Sequence, residues 1–146
     1  MTPSSMKVKI KRIDKTLPLP EYQTAGSVGF DLYSRIDATF AAAEIKDLPS
    51  NLIIEVPEGH FLMVTARSSL PKKGLALANS VGVVDQDFHG PDDELNLRLI
   101  NFTNEPVSVK RGERLAQGLI LPIERAEWVE GDELGKNSRG GFGSTG

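Results

Sequence analysis

The chain has 146 residues, a hydrophobic fraction of 39% and a formal net charge of −3 at pH 7. This length predicts one domain with a full-sized core, and the negative charge argues against duplex nucleic acid as the main partner, because proteins that bind duplexes are usually basic. The sequence contains no cysteine, which excludes disulfides and thiolate chemistry.

No apolar run of the sequence reaches the length of a membrane span, and the first six residues form no hydrophobic signal region. We therefore expect no membrane partner and a soluble, cytoplasmic protein, in the host compartment if the source is viral. The two histidines, His60 and His89, are too isolated for a histidine metal cage. We interpret each as a surface or strand-end residue.

Strand patterns dominate the chain. The 14 glycines and 9 prolines fall at intervals that suit β-turns, so the pattern favours an all-β sandwich or barrel. Segment 41–45 predicts a helical turn. Strand patterning ends near Val129, so we place a β domain at residues 1–130 and an appended arm at 131–146. Trp128 is a large aromatic residue, and we expect it in the core or at a subunit interface. Period-two alternation or short apolar runs predict strands at 7–11, 52–56, 61–65, 94–99, 107–109 and 118–123.

Two polar segments follow predicted strands in the first half of the chain. Asp31 stands among apolar residues of segment 27–34, and a lone carboxylate is costly to bury unpaired, so we expect hydrogen-bond or charge partners for it. Arg67 is followed by Ser68 and Ser69. A guanidinium fork beside two hydroxyls is a plausible grip for an anion, although such a triplet is also common in a solvated turn.

Segment 79–90 contains an amide, a glycine and two carboxylates. Asn79 and Gly82 can open a β-hairpin whose backbone faces a ligand. Asp85 and Asp87 alternate, so regular pleating would place them on one face of a strand. Three interpretations compete for this pair: a calcium-type loop, a catalytic carboxylate, or plain turn acids.

The last third of the chain adds further candidates. Gln117 is by itself an ordinary polar strand residue, and Arg114 suits a buried or interface ion pair. Segment 139–146 cannot build a core, because glycines surround a single aromatic residue, Phe142. Glycine N–H groups can cradle phosphate oxygens, Arg139 supplies a cation and Phe142 a face for stacking. We interpret the segment as a lid over a nucleotide with several phosphates; the alternative is a disordered end.

Five segments, taken in order, resemble the trimeric dUTPase family. They are SVGFDLYS at 27–34, ARSSL at 66–70, NSVGVVDQDFHG at 79–90, GERLAQG at 112–118 and GGFGSTG at 140–146. The resemblance implies a distorted β-barrel or jelly roll with a flexible glycine-rich C-terminal arm. It also implies hydrolysis of dUTP to dUMP and pyrophosphate with Mg²⁺, which keeps uracil out of DNA and supplies dUMP for thymidylate synthesis, in a homotrimer with shared active sites.

The resemblance also assigns roles. It implies that Asp85 orients the attacking water, that Gln117 holds that water or a phosphate, and that Asp31 supports the region around a metal held by the triphosphate, with no side chain ligating it directly. The substrate-binding residues that it implies are Arg67, Ser68, Ser69, Asn79, Gly82, Val83, Val84, Asp85, Phe88, Asn96, Gln117, Arg139, Phe142, Gly143 and Ser144.

The chain departs from the family pattern at a few positions. Ala66 stands in place of proline, Ser69 in place of glycine and Phe88 in place of tyrosine, and Arg139 is shifted toward the glycines. Two other functions share this fold: a dCTP deaminase, which would need a glutamate beside the base that segment 88–90 lacks, and a non-catalytic, nucleotide-gated or structural trimer.

Overall fold

The computed structural model describes residues 5–143, and within this range the chain is built almost entirely of β-strands. The elements of the described residues, in chain order, are β1 (Ile10–Arg12), β2 (Phe30–Tyr33), β3 (Ala38–Phe40), β4 (Ile45–Pro49), β5 (Leu52–Ile54), β6 (His60–Ala66), α1 (Leu70–Lys73), β7 (Leu75–Leu77), β8 (Gly82–Val84), β9 (Asn96–Asn101), β10 (Val107–Val109) and β11 (Arg114–Pro122).

The strands pair antiparallel in four sheets. The largest has the order β2-β11-β6-β8 and faces a second sheet, β4-β9-β7, across the core; β1 pairs with β5, and β3 with β10. The prediction of an all-β fold is confirmed in its jelly-roll form, because the described strands lie in open sheets and close no barrel.

The core joins side chains from all four sheets. Phe40, Leu62 and Leu99 are fully buried and come from β3, β6 and β9. Along β9, buried leucines alternate with exposed polar residues, as the pleat of a strand requires. This alternation turns Leu97 and Leu99 inward and leaves Asn96 on the outer face.

The secondary structure differs from the prediction in two places. The helical turn predicted at 41–45 is wrong: Ala43 has a φ of 62°, the Glu44 N–H donates to the Ala41 carbonyl at 3.0 Å, and β4 already begins at Ile45. A short helix that the pattern did not indicate, α1, lies instead after Arg67. Pro71 occupies its first turn, where a missing N–H costs nothing, and Gly74 ends it with a φ of 93°.

The C-terminal segment also departs from prediction. The last strand ends at Pro122, and residues 123–143 form no strand or helix. Trp128 is 89% exposed, so the expectation that it packs in the core is wrong for this single chain. Its alternative, a subunit interface, and the boundary of the arm at residue 131 both stay predictions.

Glycine at position 118 is required by close packing in the central sheet. A Cβ there would lie 2.7 Å from two ring atoms of Phe30 and 3.1 Å from Leu62, both of them core residues. We expect Gly118→Ala to lower the free energy of unfolding by about 1–3 kcal/mol, the usual cost of overpacking. Gly26→Ala is the matched control, because a Cβ at Gly26 meets nothing within 4 Å. Equal denaturant midpoints for the two variants would contradict the close packing described at Gly118.

Candidate functional site

A cavity of about 290 Å³ lies against β8, and we call it the hairpin cavity. It gathers every residue that the sequence assigned to the 79–88 segment and to Asn96. Its lining combines polar groups with apolar side chains from β6, β7 and β9. The lining residues are Val64, Leu77, Asn79, Gly82, Val83, Val84, Asp85, Phe88, Glu94, Leu95, Asn96 and Leu97.

Strand β8 offers backbone groups to this cavity. It pairs with β6 on one side, with Gly82 opposite Val64, and it is the edge strand of its sheet among the described strands. A Cβ at Gly82 would lie 3.1 Å from the Val64 Cβ, so glycine permits the close approach of the two strands. The tight turn before β8 holds Ser80 at a φ of 62°. An edge strand carries N–H and C=O groups that can pair with an extended or planar partner.

The predicted alternation of Asp85 and Asp87 on a strand is wrong. Strand β8 ends at Val84, and the chain then turns, with the Phe88 N–H directed at the Asp85 carbonyl at 3.5 Å. The turn leaves Asp85 exposed on the cavity lining, whereas Asp87 does not line the cavity. The two carboxylates therefore do not share a strand face.

Asp31 lies at the centre of a second polar cluster. Its side chain is 11% exposed, and its Oδ1 lies 3.1 Å from Nε of Arg67. Its Oδ2 accepts a 2.6 Å hydrogen bond from Nε2 of Gln23 and lies 3.4 Å from Nη1 of Arg114. These are the partners that a carboxylate in an apolar strand was expected to have. They fix the Arg67 guanidinium at the end of β6.

Gln117 lies beside this cluster, in the middle of the central sheet. On β11 it is opposite Asp31 of β2 and Thr65 of β6, and its Nε2 is 3.5 Å from the Ala66 carbonyl oxygen. A Cβ at Gly29 would lie 2.7 Å from the Gln117 Oε1. The absence of a side chain at Gly29 therefore sets the position of the Gln117 amide.

An open cleft of about 560 Å³ adjoins Arg67, and we call it the arginine cleft. Four cationic side chains line it, and one of them, Lys73, is paired with Glu113 at 2.6 Å. Such a cluster suits an anion with several oxygens. Ser68 and Ser69 are exposed beside it, and Ser69 lines it. The cleft is lined by Arg67, Ser69, Leu70, Lys72, Lys73, Gly112, Glu113, Arg114 and Leu115.

The predicted site residues therefore fall into separate groups. Among the described residues, none lines both the hairpin cavity and the arginine cleft. The arm residues Arg139, Phe142 and Gly143 are exposed and line neither. Ser144 lies outside the described residues.

Sequence reasoning missed some of the residues gathered here. Val64, Leu95 and Leu97 were predicted as strand residues but not as site residues, since alternation does not tell a core side chain from a cavity lining, and Leu77 lies in a strand that was not predicted. Lys72 and Lys73 were visible as a basic pair after the Arg67 triplet. Glu94 carried a signal too, an acid at the start of a predicted strand after a turn that contains Pro91. Residues 5–143 contain no cluster of three or more typical metal ligands, and no helix in this range is long and apolar enough to cross a membrane.

Comparison with known proteins decides the family. The dUTPase family model matches residues 15–146. The chain belongs to the dUTPase family. A deoxyuridine 5'-triphosphate nucleotidohydrolase of Dictyoglomus turgidum is 43% identical, over 97% of this chain and 99% of that protein. The resemblance seen in five segments of the sequence is thereby confirmed.

Two solved dUTPases share the fold. A mutant of Staphylococcus bacteriophage 80alpha dUTPase with dUpNHpp superimposes with a TM-score of 0.85 at 21% identity, over 97% of this chain and 99% of that one. A mutant dUTPase from phage phi11 of S. aureus, whose structure describes the coordination of a structural Mg(II) ion, has a TM-score of 0.79 at 19% identity, over 88% of this chain and 99% of that one.

We expect Gly29→Ala to displace the Gln117 amide while leaving the fold intact. The added Cβ would lie 2.7 Å from the Gln117 Oε1, which can rotate away, and 3.3 Å from the Gln117 Cβ, which cannot. The free energy of unfolding should therefore fall by about 1 kcal/mol, the lower end of the usual cost of overpacking. A crystal structure of the variant should show Gln117 in a new rotamer, away from the Ala66 carbonyl. Finding Gln117 unmoved would contradict the role given to Gly29; Gly26→Ala is again the control.

Proposed function

We propose that this chain hydrolyses dUTP to dUMP and pyrophosphate, with water attacking the α-phosphorus. Membership of the dUTPase family supports this function. The observation that carries it is the hairpin cavity, because an exposed carboxylate, an amide and an edge-strand backbone meet there beside an aromatic ring. Those groups are what a nucleoside with a planar, hydrogen-bonding base requires.

The base and sugar are assigned to the hairpin cavity. The backbone of β8 and the Asn79 amide pair with the donors and acceptors of uracil, while the Phe88 ring packs under the deoxyribose and crowds out a 2′-hydroxyl. Asp85, on the cavity lining, orients and polarises the attacking water. Asn96, on the outer face of β9, adds a backbone contact.

The phosphates are assigned to the groups around Arg67. Ser68, Ser69 and Gln117 add neutral donors to the guanidinium, and Asp31 holds Arg67 in place before substrate arrives. Prior orientation of this kind lowers the cost of stabilising developing charge. The arm, through Arg139, Phe142, Gly143 and Ser144, then closes over the bound nucleotide and excludes bulk water.

Mg²⁺ fits this arrangement as a partner of the triphosphate. Both oxygens of Asp31 are already engaged by Arg67, Arg114 and Gln23, so Asp31 is poorly suited to ligate a metal directly. Asp31 instead supports Arg67, which binds the phosphates. When bound, Mg²⁺ neutralises charge on the triphosphate oxygens.

The separation of the two pockets supports a shared site. In one chain the hairpin cavity and the arginine cleft have no lining residue in common. We therefore propose a homotrimer in which one chain supplies the hairpin cavity, a second chain the residues around Arg67 that bind the phosphates, and a third chain the arm. The fully exposed Trp128, just before the arm, suits a subunit interface.

The proposed function is tested by pyrophosphate release from each common dNTP and from UTP in the presence of Mg²⁺. We expect turnover of dUTP alone. In the same assay Asp85→Asn should lower kcat by about 10²–10⁴, the usual contribution of a general base, while dUTP still binds. Ammonia release from dCTP would favour a deaminase, and binding without turnover a nucleotide-gated module. Unchanged turnover in Asp85→Asn would remove Asp85 from the mechanism.

Truncation after Gly135 tests the arm. The described part of the arm is exposed and contributes nothing to the core, so the truncated chain should fold and assemble as the full chain does. Its kcat/KM for dUTP should fall by on the order of 10², because phosphate positioning and water exclusion are both impaired. Steady-state kinetics and analytical ultracentrifugation measure the two properties. Normal kinetics would show that the arm is no lid.

A further inference from the structure

An ion pair that includes a lining residue of the hairpin cavity has no part in the function proposed so far. Nε of Arg35 donates to Oε2 of Glu94 at 2.8 Å, and Nη2 donates to Oε1 at 3.0 Å. The pair is bidentate, with side-chain exposures of 30% for Arg35 and 16% for Glu94. Glu94 lines the hairpin cavity, whereas Arg35 lies behind it, just after β2. Bidentate pairs of this kind fix orientation as well as distance.

A third donor completes the coordination of Glu94. The backbone N–H of Asn51 donates to Oε2 of Glu94 at 2.7 Å. Asn51 is fully buried and has a φ of 75°, a conformation that asparagine tolerates better than most residues. Its side chain bonds to the backbone of Asp14 at 2.6 and 3.0 Å and to the Tyr33 hydroxyl at 3.1 Å. Asn51 is thus a fixed point against which Glu94 is held.

The same turn holds the next residues of the cavity. The Leu95 N–H donates to the Leu52 carbonyl at 2.9 Å, and the Ser50 N–H donates to the Leu95 carbonyl at 3.0 Å. Asn96 is then paired with Pro49 in the β4–β9 ladder. Each of three successive cavity residues is therefore anchored to the turn that joins β4 to β5.

The chain just before Glu94 is a loop that carries Phe88. Residues 90–93 close on themselves, with the Gly90 N–H bonded to Oδ2 of Asp93 at 2.8 Å and the Asp93 N–H bonded to the Gly90 carbonyl at 3.1 Å. This small turn makes no bond to the 49–52 segment. The loop also meets the frame at His89, whose Nε2 lies 3.5 Å from Oε1 of Glu55. Glu94 differs from His89 in that it both lines the hairpin cavity and is bonded to the frame, so its position constrains the cavity lining.

We propose that Arg35, Glu94 and Asn51 form a positioning network that sets the spacing of the hairpin cavity and thereby its affinity for the nucleoside. Glu94 acts as a positioning residue, because its carboxylate accepts three hydrogen bonds from protein donors that orient it. Glu94 holds the pKa of Arg35 above its ordinary value, chiefly through their hydrogen bonds, so Arg35 stays charged. The inference rests on the proposed function, since it names what tunes that same site.

The test compares Arg35→Gln and Glu94→Gln with a matched control, Arg98→Gln. Arg98 of β9 forms an equally bidentate pair with Asp47 of β4, at 2.7 and 2.9 Å, but neither residue lines the cavity. The readouts are the dissociation constant of dUMP, KM and kcat for dUTP, and the affinity for inorganic triphosphate. The product dUMP reports on the nucleoside part of the site, and triphosphate on the phosphate part.

We expect both network variants to weaken dUMP binding and to raise KM for dUTP by about fivefold to tenfold, the size of typical couplings between contacting groups. Their kcat should change less than about threefold, and triphosphate affinity should not change. Arg98→Gln should match the wild type throughout. Glu94→Gln keeps the shape of the side chain and loses its charge. Arg35→Lys keeps the charge, loses the guanidinium fork and should weaken dUMP binding to an intermediate degree. If Arg35→Gln does not fold, Arg35→Lys tests the network in its place.

The failure of this inference differs from the failure of the proposed function. A wild-type protein that does not turn over dUTP contradicts the proposed function. If the wild type turns over dUTP but the folded network variants bind dUMP with wild-type affinity, the positioning network is overturned. If the network variants lose unfolding free energy and kcat while their affinity for dUMP stays at the wild-type value, the Arg35–Glu94 pair has only a structural role and the inference is overturned.

Discussion

The geometry of the side chains around Arg67 depends on the charge compensation of one carboxylate, Asp31. Asp31 sits on β2 with 11% of its side chain exposed, in a strand whose neighbours are buried. A charge in such a place is tolerated only when donors surround it. Two of those donors are Arg114 of β11 and Arg67 at the end of β6, and their ion pairs with Asp31 offset the cost of burying it. The same ion pairs hold both arginines in place at the arginine cleft.

The order of the central sheet explains why these groups meet. Strand β11 lies between β2 and β6, so Gln117 is flanked by Asp31 on one side and by Thr65 on the other. Arg67 then leaves the end of β6 and turns back toward Asp31. Strand β8 lies on the far side of β6, at the edge, where its outer backbone faces the hairpin cavity. The sheet therefore has the charged cluster around Asp31 on the side of β2 and the outer backbone groups of β8 at its opposite edge.

Much of the fold could be predicted because its determinants are local. Alternation gave β10 at the residues where it occurs and β9 within two residues at each end, and the exposed edge of the hairpin followed from Asn79 and Gly82. What could not be predicted depends on pairing across the chain. Arg35 and Glu94 are 59 residues apart, and no pattern in the sequence marks either as the partner of the other. The turn at Asp85 was missed for a similar reason, since β8 ends where its pairing with β6 ends and not where its alternation stops.

The two halves of the candidate site also differ in how much order they have before a ligand binds. The hairpin cavity is lined in part by core leucines, and Glu94 and Leu95 are tied to segment 50–52 by backbone and carboxylate bonds, so little entropy remains to be lost there on binding. The arginine cleft is open, with long side chains at its edge, and the described arm residues are exposed. Ordering lysines and a glycine-rich segment costs conformational entropy, which only strong contacts can offset. A triphosphate supplies such contacts through its charge, whereas a nucleoside alone does not. This asymmetry favours a division of labour in which the rigid half selects the base and sugar and the loose half closes only on a ligand that carries the full chain of phosphates.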